Sequence, residues 1–424
     1  MSKTKLPPPL PPQIVSPPAT TLFAIIVGST LVASCQNMSS SEQQIDLRNL
    51  STACNDFTIS LYKHLATSSG NNIVTSPLSL HLLLSLLSNG AGGSTLNELQ
   101  AALRHDDRVS LNDEFKALIS SLNNLESVDL HMANAVYVQD GFQLIADFLS
   151  LCTNIFQSSI SRVDFKDSVQ AAKSVNSWVQ ERTNNKISDA ISSDDIDEDT
   201  RLVLVNAIYF KSKWQHTFDE EHTTKREFHV SKTEINLVPT MFKKSKYTHG
   251  EIPAWNTKYI EIPYMNQDIV MIILLPDREI ELQTLESNFN WNTLADAPKS
   301  AEQVELYLPK FKFEITIDLE TVLRKIGLNS MFGDCANFTR LSEIPLKVSR
   351  VLQKVFVEVN EEGSEAAAAT VATIRLRRAA FLPEIIKFVV DRPFMFAIEY
   401  KPSRMPLFLG SVRNIESSQE RDEL

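Results

Sequence analysis

Apolar positions along this chain follow two rhythms. Leu78 to Leu87 is rich enough in leucine to predict a buried helix, and the glycines between Gly90 and Gly93 end it in a turn. Thr95 and Glu98 stand three residues apart and offer a capping box for the helix that should follow. The second rhythm is that of strands. It is strongest at Arg201 to Phe210, Ile269 to Leu275, Val304 to Leu308 and Lys354 to Val359, where β-branched and aromatic residues dominate between breakers. Several of these runs are apolar throughout, the pattern of strands covered on both faces. Helical and strand patterns alternate irregularly from residue 45 to 415 without repeat or compositional break. One continuous α+β domain with sheets buried under helices is therefore expected.

The two ends read differently. Lys3 and Lys5 precede a proline-rich lead to Pro18, and the apolar run Leu22 to Ala33 is too short to span a bilayer of ~30 Å. It has the length of a signal-peptide core, so residues 1–35 are expected to be a signal with a proline-rich lead; a polyproline tail is the plainer alternative. Residues 416–424 form a tail whose last four, Arg421, Asp422, Glu423 and Leu424, differ from the KDEL retrieval signal by one cation-for-cation change. Sequons at Asn37, Asn49 and Asn337 suit a secretory chain. The expected address is the endoplasmic reticulum lumen or the wider secretory pathway, with the retrieval receptor as one partner.

Charge and chemistry exclude several functions. A formal net charge of −11 repels phosphate and argues against nucleic-acid binding. Cys35, Cys54, Cys152 and Cys335 are far apart, with no metal-ligand spacing, and are expected to be buried apolar thiols. The eight histidines pair with nothing identifiable and no hydrolase motif appears, so neither an enzyme nor a cofactor is expected. Lys243, Lys244 and Lys246 read as a solvated basic cluster beside a turn, with polyanion binding the less favoured alternative.

The most informative stretch runs from Lys354 to Pro383, KVFVEVNEEGSEAAAATVATIRLRRAAFLP. After Glu361, Glu362 and Gly363 comes a run with almost no large side chain: Ser364, Glu365, Ala366, Ala367, Ala368, Ala369 and Thr370, continuing to Thr373. If it became a strand, Ser364, Ala366, Ala368, Thr370, Ala372 and Ile374 would share one face, while Glu365 and Arg375 would lie on the other. A one-residue slip would bury a charge. That alternation suits a segment exposed at one time and inserted into a sheet at another. An alanine-rich helix or a linker is the alternative from these residues alone.

This segment closely resembles the hinge and reactive loop of inhibitory serpins. The resemblance extends through Asn72-Ile73-Val74-Thr75-Ser76-Pro77-Leu78-Ser79, Leu204-Val205-Asn206-Ala207-Ile208-Tyr209-Phe210-Lys211 with Trp214, Leu308-Pro309-Lys310-Phe311-Lys312, Asp391-Arg392-Pro393-Phe394 and Leu407-Phe408-Leu409-Gly410. It implies a serpin domain over 45–415, with three sheets, about nine helices and an exposed reactive-centre loop over 361–383. It further implies a monomer that traps a serine protease as a covalent acyl complex. Ser79, Asn206, Trp214 and Gln353 fall at the shutter and breach positions of the family. Gln353 stands where many serpins have histidine, and an amide can hydrogen-bond but cannot titrate.

Two bonds compete as the bait. Family spacing from the hinge glycine nominates Arg377. The run Arg375, Leu376, Arg377, Arg378 matches the R-x-[K/R]-R consensus of furin-like proprotein convertases and places the reactive bond between Arg378 and Ala379. Arg378 is the preferred assignment; cleavage after Arg377 by a trypsin-like protease is the alternative. A non-inhibitory chaperone serpin of the endoplasmic reticulum shares this kind of terminus, but such proteins tolerate bulky or charged residues where this chain has Ser364 and Ala366 to Ala369.

Overall fold

The computed structural model describes residues 45–68, 70–105, 108–363 and 385–416. In chain order the elements are α1 (Arg48–Ser68), β1 (Ile73–Thr75), α2 (Pro77–Gly90), α3 (Gly93–Leu103), α4 (Arg108–Asn123), β2 (Val128–Gln139), α5 (Ala146–Asn154), β3 (Ser159–Val163) and α6 (Ser168–Arg182). There follow β4 (Leu202–Ser212), β5 (Thr224–His229), β6 (Ile235–Ile252), β7 (Thr257–Pro263), β8 (Ile269–Pro276), α7 (Leu282–Asn288), α8 (Trp291–Ala295), β9 (Ser300–Pro309) and β10 (Phe311–Asp318). The chain closes with α9 (Glu320–Lys325), β11 (Val348–Val359), β12 (Ile386–Val389), β13 (Phe394–Tyr400) and β14 (Met405–Val412).

Among the described residues the strands form two hydrogen-bonded networks. A five-stranded sheet runs β10-β11-β4-β2-β3, and a nine-stranded one runs β1-β14-β13-β8-β7-β6-β9-β12 with β5 on β6. The long β6 pairs with β5, β7 and β9 along different parts of its length, and so fuses what the family pattern counts as two sheets into one ladder.

The five-stranded sheet is covered on both faces, as its apolar runs require. On β4 the even positions Leu202, Leu204, Ile208 and Phe210 enter the main core, while Val203, Val205, Ala207 and Tyr209 pack into a second cluster with Ala171, Val175 and Val179 of α6. β11 divides likewise: Val351, Val355 and Val357 face the main core, Leu352 and Phe356 the cluster beneath α6. β9 instead alternates buried and open positions, leaving one face to solvent.

Several local expectations are corrected. The helix after the glycine turn starts at Gly93 with Gly92 as its cap, not with a Thr95–Glu98 box. Thr95 Oγ1 accepts the amide of Asn337, and Glu98 accepts the amides of Asn329 and Ser330. The lysine cluster lies within β6 rather than beside a turn, and Lys244 pairs with Glu305 at 3.2 Å. Cys54 and Cys152 are buried, and burial pushes both thiols up to about 12, but Cys335 is exposed. His81 and His105 do meet, their rings 4.8 Å apart beside Phe57 and Phe115. Burial drives His81 well below its ordinary value and His105 down to about 4, so the pair is neutral packing.

Candidate functional site

The seam between β11 and β4 joins two parallel neighbours, and β11 leads in sequence into the small-residue segment. Polar side chains interrupt the apolar face at three registered positions: Asn206 of β4 lies opposite Asn134 of β2 on one side and Gln353 of β11 on the other. All three are buried. Gln353 Nε2 donates to Asn206 Oδ1 at 2.7 Å and to the Ser76 carbonyl at 2.9 Å. Its Oε1 accepts from Thr75 Oγ1 at 2.6 Å and from the Ser76 amide at 3.1 Å. The Gln353 side chain thereby fills both donor and both acceptor positions. Asn206 Nδ2 donates to Ser79 Oγ and Asn134 Oδ1, and Ser76 caps α2 by accepting the Ser79 amide. One network thus ties three strands to the start of α2, and the Gln353–Asn206 bond crosses the parallel seam.

Trp214 sits at the upper end of the same seam. Its ring stacks on Tyr264 at 4.4 Å, and its Nε1 donates to the Asn360 carbonyl at 2.8 Å. Its backbone amide donates to the Glu362 carbonyl, and that of Phe218 to the Glu361 carbonyl. Gly363 has φ +76, and a Cβ there would come within 2.3 Å of the Trp214 amide nitrogen, so the turn after β11 needs glycine for both reasons. Glu361 pairs with Lys310 at 2.7 Å and accepts from Thr223 Oγ1. Burial alone would raise its carboxyl; the bonds from Lys310 and Thr223 outweigh burial and hold it below its ordinary value.

Of the residues singled out from the sequence, Ser79, Asn206 and Gln353 come together in one network, while Trp214, Glu361, Glu362 and Gly363 meet at the end of β11. Ser364 to Thr370, Arg375, Leu376, Arg377, Arg378 and Ala379 lie outside the described residues, as do Asn37 and Arg421 to Leu424. Asn49 is exposed on the first turn of α1. Asn337 is half-buried, its Oδ1 accepting from the Thr339 amide and hydroxyl. Sequence reasoning missed Asn134, Thr223, Tyr264 and the Lys310 pair. Asn134 left a readable trace, a lone amide inside the alternating run from Val128 to Gln139.

The Gln353–Asn206 bond thus closes the parallel seam of β11 and β4, and in sequence β11 leads through Gly363 into the small-residue run that resembles a serpin hinge. The profile of the serpin (serine protease inhibitor) family matches residues 52–415, and the chain belongs to that family. It is 39% identical over 334 residues to the antitrypsin of Bombyx mori, covering 78% of this chain and 85% of that protein. It is 37% identical over 378 residues to the alaserpin of Manduca sexta, covering 87% and 95% respectively. Among solved structures it resembles Serpin48, a highly specific serpin of the insect Tenebrio molitor, with a TM-score of 0.80 and 33% identity over 88% of this chain and 100% of that one. The protein is a serine protease inhibitor, not an enzyme, and its partner is a serine protease held in a covalent complex.

Proposed function

We propose that the protease is a furin-like proprotein convertase, that it cleaves after Arg378, and that the inhibitor meets it in the secretory pathway. One observation carries the target: Arg375, Arg377 and Arg378 stand at the positions such enzymes read, with small Ala379 after the bond. Acidic subsites bind several guanidinium groups through bidentate, charge-assisted hydrogen bonds. A trypsin-like protease needs only the arginine before the bond.

The trapping step follows from strand direction. The protease serine Oγ attacks the Arg378 carbonyl carbon, the peptide bond to Ala379 breaks, and the serine proton leaves on the new amine of Ala379. An ester then joins the protease to Arg378. The cut end is free to fold back from Gly363, and a strand returning from β11 runs antiparallel both to β11 and to its parallel neighbour β4. It can bond on both edges, a strand addition for which serpin insertion is a standing example. Fifteen residues inserted at ~3.3 Å each carry the ester on the order of 50 Å.

Incubation with furin and with trypsin tests this. A complex that survives denaturing electrophoresis, with a released peptide beginning at Ala379, is expected. A peptide beginning at Arg378 transfers the bait to Arg377, the bond favoured by distance from the hinge glycine. Cleavage without a stable complex overturns inhibition of that protease. The proposed address rests on the terminal Arg421 to Leu424, and unchanged intracellular retention after their deletion overturns it.

A further inference from the structure

We infer that the solvent face of β6, β9 and β12 is a docking surface for the acidic rim of the target protease, on the side that holds the residues following the cleaved bond. This rests on the convertase reading and extends it from the loop to the body of the inhibitor.

Register defines the face. Phe242, Lys244 and Lys246 of β6 lie opposite Tyr307, Glu305 and Gln303 of β9, and Lys387 and Val389 of β12 lie opposite Glu305 and Tyr307. Their sequence neighbours Met241, Tyr247, Val304, Leu306 and Phe388 are buried, so this other set points outward. At the outward register positions of the paired segment the charges are Lys244, Lys246 and Lys387 against the carboxylate of Glu305, and Glu302 is exposed near the start of β9, opposite Tyr247, leaving three cations to two carboxylates. Glu305 sits between Lys244, which it pairs at 3.2 Å, and Lys387. Lys246 and Lys387 are exposed and enter no ion pair among the described residues.

The cations surround an aromatic floor. Phe242 and Tyr307 are half-buried with ring centroids 4.8 Å apart, and the guanidinium of Arg226 lies 4.3 Å over the Tyr307 ring. The face therefore couples positive charge to flat apolar surface, a composition suited to a protein contact.

Place and field identify the occupant. β12 begins at Ile386, eight residues after Arg378, so the proposed bond is at most roughly 27 Å of chain from this face. A protease domain of about 300 residues is on the order of 50 Å across, so an enzyme seated on that bond reaches the strand. An enzyme that selects several arginines carries carboxylates around its cleft, and an inhibitor of net charge −11 would repel it. A cationic face beside the point of attack reverses that repulsion locally and speeds encounter.

The test compares wild type with a Lys244→Glu/Lys246→Glu/Lys387→Glu variant and with Lys246→Glu alone, which leaves the Glu305 pair intact. Association rates with furin and with trypsin are measured at low and high salt, and thermal unfolding verifies the fold. The expected result is a furin rate about 10-fold or more lower in the triple variant, lower by a few-fold in the single one, and less dependent on salt in both. Trypsin should stay within about 3-fold at every step. An unchanged furin rate, or an equal fall with both enzymes, overturns the docking face alone. If wild type forms no furin complex, the convertase reading falls and the docking face with it.

Discussion

Glu399 on β13 is a buried carboxylate with an unusual titration. Burial first, then the neighbouring Glu261 of β7, raise it to about 7 against the opposing pull of Arg404, Lys299 and Lys401. The two carboxylates come near because Glu399 lies opposite Val270 and Glu261 opposite Ile272 on the intervening β8, two residues apart on one face. A group whose folded value exceeds its unfolded one binds more protons when folded, so its ionisation costs stability as pH rises. The loss runs from the ordinary carboxylate range up through about pH 7 and is complete above it. Relative to wild type, the Glu399→Gln variant should therefore gain stability as pH rises from 5 to 8, because it lacks this loss, whereas the opposite contributions of the buried neutral His81 and His105 are common to both proteins. At pH 8 the variant is expected to be more stable, by on the order of a few kcal/mol. Unfolding midpoints measured across this range check the claim; parallel curves for the two proteins would exclude Glu399 as the source.

At the scale of elements, the parallel seam depends on contacts that close it without barring its opening. The apolar residues of β11 and β4 pack on both faces, but the Gln353–Asn206 bond is directional and crosses the line along which the strands must part. Gln353→Leu would leave the Thr75 hydroxyl, the Ser76 amide and carbonyl, and Asn206 Oδ1 without this partner in a dry interior. A destabilisation of about 2–4 kcal/mol is expected, since each unsatisfied buried group costs ~1–3 and the region can relax. Hydrogen exchange should quicken in β11 and β4 while β8 and β13 keep their protection; uniform loss would point to global damage. The sequence revealed the strands of this seam because apolar runs covered on both faces leave a strong pattern. It revealed Ser79, Asn206 and Gln353 through family likeness, not through their spacing, since residues 79, 206 and 353 are joined only by the fold. The same limit hid Asn134 and the Glu361–Lys310 pair. The failed capping box had a different cause: Thr95 and Glu98 have the right spacing, but tertiary partners at Asn337 and Ser330 claim both side chains.

For the whole molecule, inhibition requires two separable events, recognition of the loop and insertion into the sheet, and the arginines belong to the first alone. The β11–β4 seam, the Gln353 network and the Trp214–Gly363 contact are the same whichever protease makes the cut. Arg375 would lie three residues before Arg378, where a convertase meets it with carboxylates and a trypsin-like enzyme makes no comparable demand. Arg375→Ala removes one charge-assisted contact and strands its acidic partner, a loss of about 2–3 kcal/mol, or roughly 30- to 150-fold in association with furin. Trypsin should associate within about 3-fold of wild type, since its contact at the cleaved arginine is untouched. The number of inhibitor molecules consumed per trypsin trapped should also be unchanged, because that ratio is set by insertion and not by encounter. Comparable losses with both enzymes would mean that Arg375 supports the loop itself. No loss with furin would return the bait to a protease that reads a single arginine.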